Sequence, residues 1–269
     1  MAGLSGKVAV VTGSSRGIGK GIALALGEQG CTVYVTGRTA GDGELSIDTS
    51  ARMVTAAGGE GRAIQCDHGV DAQIEALFQQ IASEVDCIDI LVNNVYKIPS
   101  PPAWGGGYWD HPIQVWDDQV GIGLRAHYVA SWHAAQLMFA SQGAAMLNVS
   151  SPGGQSYHFS SSYGAGKSGL DRLTKDMAHE LAPKGIPAVV LYPGSVSTEF
   201  IQAAAKEQEM DLSQSQTPLL VGRAATSLLL SSDLMSRTGT IQWVEDLAEE
   251  FDLHDENGRR PSQRYAARR

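Results

Sequence analysis

Short apolar runs rich in β-branched residues recur along this chain, and between them apolar positions fall at helical spacing. The runs at 8–11, 32–36, 62–65, 88–92, 145–149, 187–191 and 240–244 predict strands. Helical patterns cover 17–28, 49–57, 71–85, 113–141, 163–181 and 217–230. In the third of these, Ile74, Leu77, Phe78 and Ile81 recur at i, i+3, i+4, i+7, one face of an amphipathic helix. Strands that are apolar throughout and alternate with helices predict an α/β fold, a doubly wound, mostly parallel seven-stranded sheet with helices on both faces. Ligands on such sheets bind beyond the carboxyl ends of the strands.

No repeat, low-complexity linker or composition break divides the chain, so residues 1–269 read as a single dinucleotide-binding and catalytic domain. Two segments lack strand or helix pattern. The first, 96–112, holds Pro99, Pro101, Pro102, three consecutive glycines and large aromatics; the second, 195–216, is polar. Both follow strand ends, where long loops are often functional, and both are expected to border an active site. A polar tail runs over 254–269.

Composition narrows the function classes. Hydrophobic residues make up 43% and charged ones 18%, which supports a packed core. The net charge of −9 argues against a nucleic-acid partner. Arg259, Arg260, Arg264, Arg268 and Arg269 read as a solvated basic terminus. Cys31, Cys66 and Cys87 have neither disulfide pairing nor metal-ligand spacing, so no metal is expected and a reducing compartment is. No apolar run nears the ~18 residues of a membrane-spanning helix. The expectation is a cytoplasmic protein without membrane insertion.

Directly after the first strand comes Thr12-Gly13-Ser14-Ser15-Arg16-Gly17-Ile18-Gly19, opening a helix. Glycines at this spacing permit a tight turn, and the helix N-terminus offers free N–H groups to a pyrophosphate. Gly13, Ser15, Arg16, Gly17, Ile18 and Gly19 are therefore candidate dinucleotide contacts. The second strand ends at Arg38, without the carboxylate that would hold a ribose 2′-hydroxyl. Arg38, with Arg16 at the same corner, suits a 2′-phosphate, so NADP(H) is expected in preference to NAD(H).

Later, Ser150 and Ser151 end the fifth strand, and Tyr163 and Lys167 stand four apart at the start of a helix, on one face. An ammonium beside a phenol stabilises its anion, and a nearby hydroxyl can hydrogen-bond a carbonyl oxygen. This set suits hydride transfer from a nicotinamide with Tyr163 as general acid, Ser151 polarising the substrate and Lys167 assisting.

These motifs, over nearly the whole chain, resemble the short-chain dehydrogenase/reductase superfamily, with its single-domain Rossmann fold. The resemblance extends to Asp67 after the third strand, Asn93 and Asn94 after the fourth, and Tyr192-Pro193-Gly194-Ser195-Val196-Ser197-Thr198 after the sixth. It implies that Asp67 caps the adenine and that the asparagine pair, Asn93 included, supports the fourth strand and the ribose side. It implies that Pro193, Gly194, Val196 and Thr198 hold the nicotinamide carboxamide, and that Lys167 and Tyr163 adjoin its ribose. It further implies association into a homodimer or homotetramer through the helices at 113–141 and 163–181. Finer features, among them Val92-Asn93-Asn94-Val95-Tyr96 and Asp255-Glu256-Asn257-Gly258-Arg259, resemble the dehydrogenase/reductase member 1 branch. Animal members of that branch carry a C-terminal extension with apolar segments; this chain has none, and membrane association is not expected of it.

Three departures stand out. Val95 and Tyr96 replace the superfamily's usual Ala-Gly, placing an aromatic near the site. The superfamily's proton-relay Asn falls, counting from Trp116, on Gly123. The usual serine-to-tyrosine separation selects Ser150, whereas matching the strand end selects Ser151, which is favoured. Tyr96, Trp104, Tyr108, Trp109, Tyr157, Phe159 and Phe200 suggest a roomy apolar pocket for a bulky ketone or aldehyde substrate, with His158 as either a loop residue or a polar contact. Two other readings remain: a dinucleotide-binding regulator without turnover, and a reductase of activated C=C bonds.

Overall fold

The computed structural model describes residues 3–261. Seven strands form one all-parallel sheet in the order β3-β2-β1-β4-β5-β6-β7. They are β1 (Val8–Val11), β2 (Thr32–Gly37), β3 (Glu60–Gln65), β4 (Ile90–Asn93), β5 (Ala145–Val149), β6 (Ala188–Tyr192) and β7 (Ile241–Trp243). Successive side chains point to opposite faces, and the ladders keep that alternation in register. Val10 pairs with Tyr34 and Leu91, and all three enter one core; Val11 pairs with Val35 and Val92, which enter the other.

Helices α1 (Gly17–Glu28), α2 (Ile47–Ala56), α8 (Pro218–Leu230) and α9 (Val244–Glu250) cover one face. Helices α3 (Asp71–Glu84), α5 (Ala126–Phe139) and α6 (Ser161–Leu181) cover the other. The expected doubly wound sheet is present. Reversal of strand order between β1 and β4 leaves a crevice at their carboxyl ends, where such folds bind ligands.

Three expectations need correction. The helix expected over 113–141 is a turn α4 (Gln114–Trp116), a π-helical stretch (Asp117–Arg125) and then α5. The Ala126 N–H reaches the Gly121 carbonyl, five residues back. The segment 195–216 is not irregular throughout: it contains α7 (Glu199–Gln208), capped by the Thr198 hydroxyl. The basic tail is not simply solvated. Arg259 donates to the Ser213 and Ser215 carbonyl oxygens, and Arg260 pairs with Asp252; Arg264, Arg268 and Arg269 lie outside the described residues. Asp255 accepts from the Thr217 N–H at 2.8 Å and also from its hydroxyl, so the chain after α9 clasps the start of α8. Among the described residues no helix is long and apolar enough to cross a membrane, and no cluster of metal ligands exists.

Candidate active site

The turn after β1 is stitched to the end of β4. The Thr12 hydroxyl accepts from the Asn94 and Val95 N–H groups at 2.9 and 3.1 Å, and the Asn94 amide donates to the Thr12 and Gly13 carbonyl oxygens at 2.9 Å each. Gly17 opens α1 with φ +57°, which favours glycine. Arg16 precedes it without capping the helix by its side chain, and the first turn carries no acid of its own. Instead the Gly17 N–H donates to Glu199 Oε2 at 2.8 Å, and Lys20 Nζ meets Glu199 Oε1 at 2.5 Å.

At the end of β2 the two arginines differ. The Arg16 guanidinium is held by the Thr39 hydroxyl at 3.2 Å and the Leu45 carbonyl oxygen at 3.0 Å, with Ser15 Oγ at 3.4 Å. Arg38 is exposed, and among the described residues its guanidinium has no hydrogen bond or ion pair. Asp67, half-buried, accepts from the Gly69 N–H at 2.9 Å. Beside it His68 is buried with Nε2 2.8 Å from the Thr36 hydroxyl, and burial pushes its pKa down to about 4.

The second cluster joins β5 to α6. The Tyr163 hydroxyl donates to Ser151 Oγ at 2.7 Å, while Ser150 Oγ donates to the Lys167 carbonyl oxygen at 3.4 Å. Lys167 Nζ donates to the Val149 carbonyl oxygen at 3.1 Å. Burial lowers its pKa to about 8, against the opposing charge of Asp171. The Asn93 side chain is fully buried, donating to Ser131 Oγ and Asn148 Oδ1 at 2.9 and 2.8 Å. It ties β4 to β5 and α5, so its side chain is taken up by the fold.

Pro193, Gly194, Val196 and Thr198 line a cavity of about 420 Å³ that also takes in Ser151, Tyr163 and Lys167. Gln216 holds this stretch from below: it accepts from the Gly194 N–H at 3.4 Å and donates to the buried Glu245 at 2.7 Å. Four of the seven expected aromatics, Tyr96, Trp104, Phe159 and Phe200, reach the cavity. Trp104 lies edge-on to Phe200 with ring centroids 5.8 Å apart, joining the two loops over the site. Tyr108, Trp109 and Tyr157 do not line it and are about 70% exposed. His158 does line it.

The chain thus brings Ser151, Tyr163 and Lys167 into one cavity with Ile18 of the glycine-rich turn. Sequence reasoning missed Glu199, although Thr198 followed by an acid and two apolar residues is a helix-start pattern. It also missed Gln119, whose amide donates to Tyr96 Oη at 3.0 Å and accepts from Ser160 and Ser162. No local spacing marks that role.

Residues 7–209 match the short chain dehydrogenase family. Dehydrogenase/reductase SDR family member 1 of Homo sapiens is 36% identical over 279 residues, covering 97% of this chain and 87% of the relative. Among solved structures, a putative dehydrogenase from Xanthomonas campestris superposes with TM-score 0.82 at 25% identity, covering 98% and 96% of the two chains. An NADP active-site complex of Pseudomonas aeruginosa RhlG superposes with TM-score 0.78 at 26% identity, covering 90% and 95%. The matched span holds both the glycine-rich turn and the Tyr163–Lys167 pair, and the chain belongs to the short-chain dehydrogenase/reductase family of oxidoreductases, in the branch of family member 1.

Proposed function

We propose that this protein is an NADP(H)-dependent oxidoreductase that interconverts a bulky, apolar ketone or aldehyde and its alcohol. The observation that carries the reading is the Tyr163–Ser151 hydrogen bond of 2.7 Å beside Lys167, in a cavity walled by aromatic side chains.

The residues fit a dinucleotide. The α1 N-terminus lacks a side-chain cap from Arg16 and opens beside the cavity through Ile18; Glu199 takes the Gly17 N–H, and the Ile18 and Gly19 N–H groups are left to a pyrophosphate. Gly13, Ser15, Arg16, Gly17, Ile18 and Gly19 would hold that end, with Asp67 at the adenine and Asn93 supporting the ribose side. Pro193, Gly194, Val196 and Thr198 would hold the nicotinamide end, beside Tyr163 and Lys167. The unpaired Arg38 guanidinium supports a 2′-phosphate, and with it NADP(H) over NAD(H). When bound, the nicotinamide supplies or accepts the hydride.

In reduction, Ser151 Oγ hydrogen-bonds the substrate carbonyl oxygen and Tyr163 gives it a proton. The Lys167 ammonium stabilises the phenolate left behind. The apolar walls of Trp104, Phe159 and Phe200 exclude water and accept a large hydrocarbon surface. A homodimer or homotetramer paired through α5 and α6 belongs to the same reading, supported by Tyr128 and Trp132, more than half exposed on α5. So does a cytoplasmic location, supported by the unpaired buried thiols of Cys31 and Cys66.

The test is NADPH oxidation against a panel of carbonyl compounds, comparing wild type with Tyr163→Phe and identifying the products. Alcohol formation that vanishes in the variant is expected. NADPH binding without turnover, or saturation of a C=C bond instead, would overturn the reading.

A further inference from the structure

Tyr96 takes no part in the proposed chemistry, yet its side chain is held on several sides next to Lys167. Its ring lies on Gly123: a Cβ built there would fall 3.2 and 3.4 Å from Tyr96 Cδ2 and Cε2, tighter than ordinary contact. Lys167 Nζ lies over the same ring, 5.3 Å from its centroid, and 6.0 Å from that of Tyr163. The Tyr96 and Tyr163 rings meet edge to face at 5.8 Å, interplanar angle 85°. The Tyr96 hydroxyl is fixed by the Gln119 amide. Gln119 is in turn fixed by Ser160 and Ser162, and Ser160 caps the helix that carries Tyr163. Gly123 lies within the π-helical stretch, a geometry often found at functional sites.

We propose that Tyr96 is a positioning residue for Lys167: its ring takes the volume a side chain at position 123 would fill, and its π face holds the ammonium beside Tyr163. The inference rests on the oxidoreductase reading for what Lys167 does, but not for the packing it describes. Lys167 has lost nearly all its water, and among the described residues its ammonium makes one hydrogen bond, to the Val149 carbonyl oxygen. A ring face attracts a desolvated cation electrostatically. Other groups also act on this ammonium. Asp171, one turn along α6, favours its charge; His127 on α5, which meets the Val95 carbonyl oxygen at 2.8 Å, is kept neutral by burial. Asp118 on the π-helical stretch faces Tyr96 but is neutralised by Lys97 at 2.7 Å. None of these occupies the position over Gly123.

Two measurements test the proposal, and one needs no turnover. Thermal unfolding of the free protein reads the packing. Gly123→Ala is expected to lower Tm by about 2 °C or more in the wild-type background. In the Tyr96→Ala background the same change is expected to raise Tm, because alanine then gains helix propensity without a collision. Equal effects in both backgrounds would overturn the reciprocal packing. The pH profile of kcat reads the ammonium. Tyr96→Phe keeps the ring face and should retain the alkaline limb of wild type. Tyr96→Leu removes it and should move that limb down by about half a pH unit or more, as loss of a cation–π contact implies. A limb equally placed in Phe and Leu variants would overturn the role of the ring. If Tyr96→Leu does not fold, Tyr96→Met serves the same arm. A protein without turnover on any carbonyl would defeat the oxidoreductase reading and leave the Tm cycle standing.

Discussion

The Tyr163 hydroxyl donates to Ser151 Oγ across 2.7 Å, whereas the adjacent Ser150 turns away and donates to the Lys167 carbonyl oxygen. Residue counting leaves both serines open and both line the cavity; the direction of the two hydroxyls supports the proposed role of Ser151. Ser151 Oγ also accepts from the Gly153 N–H at 3.1 Å, which fixes its rotamer toward the cavity. Ser151→Ala is expected to lower kcat about 10²- to 10³-fold, the cost of one preorganised donor to a developing oxyanion. Ser150→Ala should stay within about threefold, since the Ser150 hydroxyl is engaged by the Lys167 carbonyl oxygen, Asp171 and Tyr192 rather than by Tyr163. Steady-state kinetics of the two variants on one substrate would check this, and the reverse order would reassign the serine.

Cofactor choice is expected to depend on Arg38 more than on Arg16. Arg16 is already spent on Thr39 and Leu45, so its replacement disturbs the 39–46 loop as well as any ligand. Arg38 is free to meet a phosphate. A charge-assisted bond of about 1.5–3 kcal/mol corresponds to roughly 10- to 100-fold in affinity. Arg38→Asp should lower the NADPH to NADH ratio of kcat/KM by at least that factor; an unchanged ratio would remove the assignment.

How much of this was legible in the sequence follows from the range of each interaction. The turn after β1 and the Tyr163–Lys167 pair are local, set by a strand end and by one helical turn, and the chain presents them as spaced. The α7 helix escaped because its polar residues hide the pattern, although Thr198 and Glu199 mark its start. Three relationships had no local signal at all: Glu199 on Gly17, Asp255 on Thr217, and Tyr96 on Gly123. Each joins distant segments through the sheet. Asn93 illustrates the converse, because the motif locates the residue without saying that its amide faces Asn148 and Ser131 rather than the cavity.

The substrate wall makes a separate prediction. Trp104 touches both Phe159 and Phe200, with centroids 6.2 and 5.8 Å away, so it spans the cavity between the two loops. Trp104 is exposed in the free protein, and its burial by an apolar substrate is worth about 1.5–3 kcal/mol. Trp104→Ala should raise KM for a bulky apolar carbonyl about tenfold or more while leaving a three-carbon aldehyde nearly unchanged. Parallel loss on both substrates would mean that Trp104 supports the fold instead.

Acid stability should be set by two buried histidines. Burial lowers His68 to about 4 and His127 to about 3, the latter with Lys167 adding to the effect. Both are neutral in the folded protein, whereas in the unfolded chain they take up a proton near pH 6.5. The unfolded state therefore binds more protons below that pH, and stability falls as pH drops from about 6.5 toward 4. With both contributing, the slope reaches about 2.7 kcal/mol per pH unit. His127→Gln should flatten the dependence of unfolding free energy on pH, measured by urea titration at several pH values. A slope identical to wild type between pH 6 and 4.5 would exclude His127 as a source.

Glu199 closes the α1 N-terminus of the free protein, and that sets the response of the dinucleotide site to charge. Its carboxylate takes the Gly17 N–H and the Lys20 ammonium, in the positive field that a helix N-terminus offers to anions. Burial opposes its ionisation, but Lys20 and the N–H groups outweigh burial and hold its pKa below the ordinary carboxylate range. A pyrophosphate arriving at the same turn would meet this negative charge. Glu199→Gln keeps the side-chain shape and removes the repulsion, so NADPH should bind about three- to tenfold more tightly, the scale of one charge at a helix terminus. The same variant should unfold more readily without ligand, because the Lys20 ion pair is lost. That loss mimics what acid does to wild type as pH falls through the depressed folded pKa of Glu199. Fluorescence titration with NADPH and thermal unfolding without it would be measured on one preparation. Weaker binding in the Gln variant would show that the carboxylate instead orders the turn for the dinucleotide.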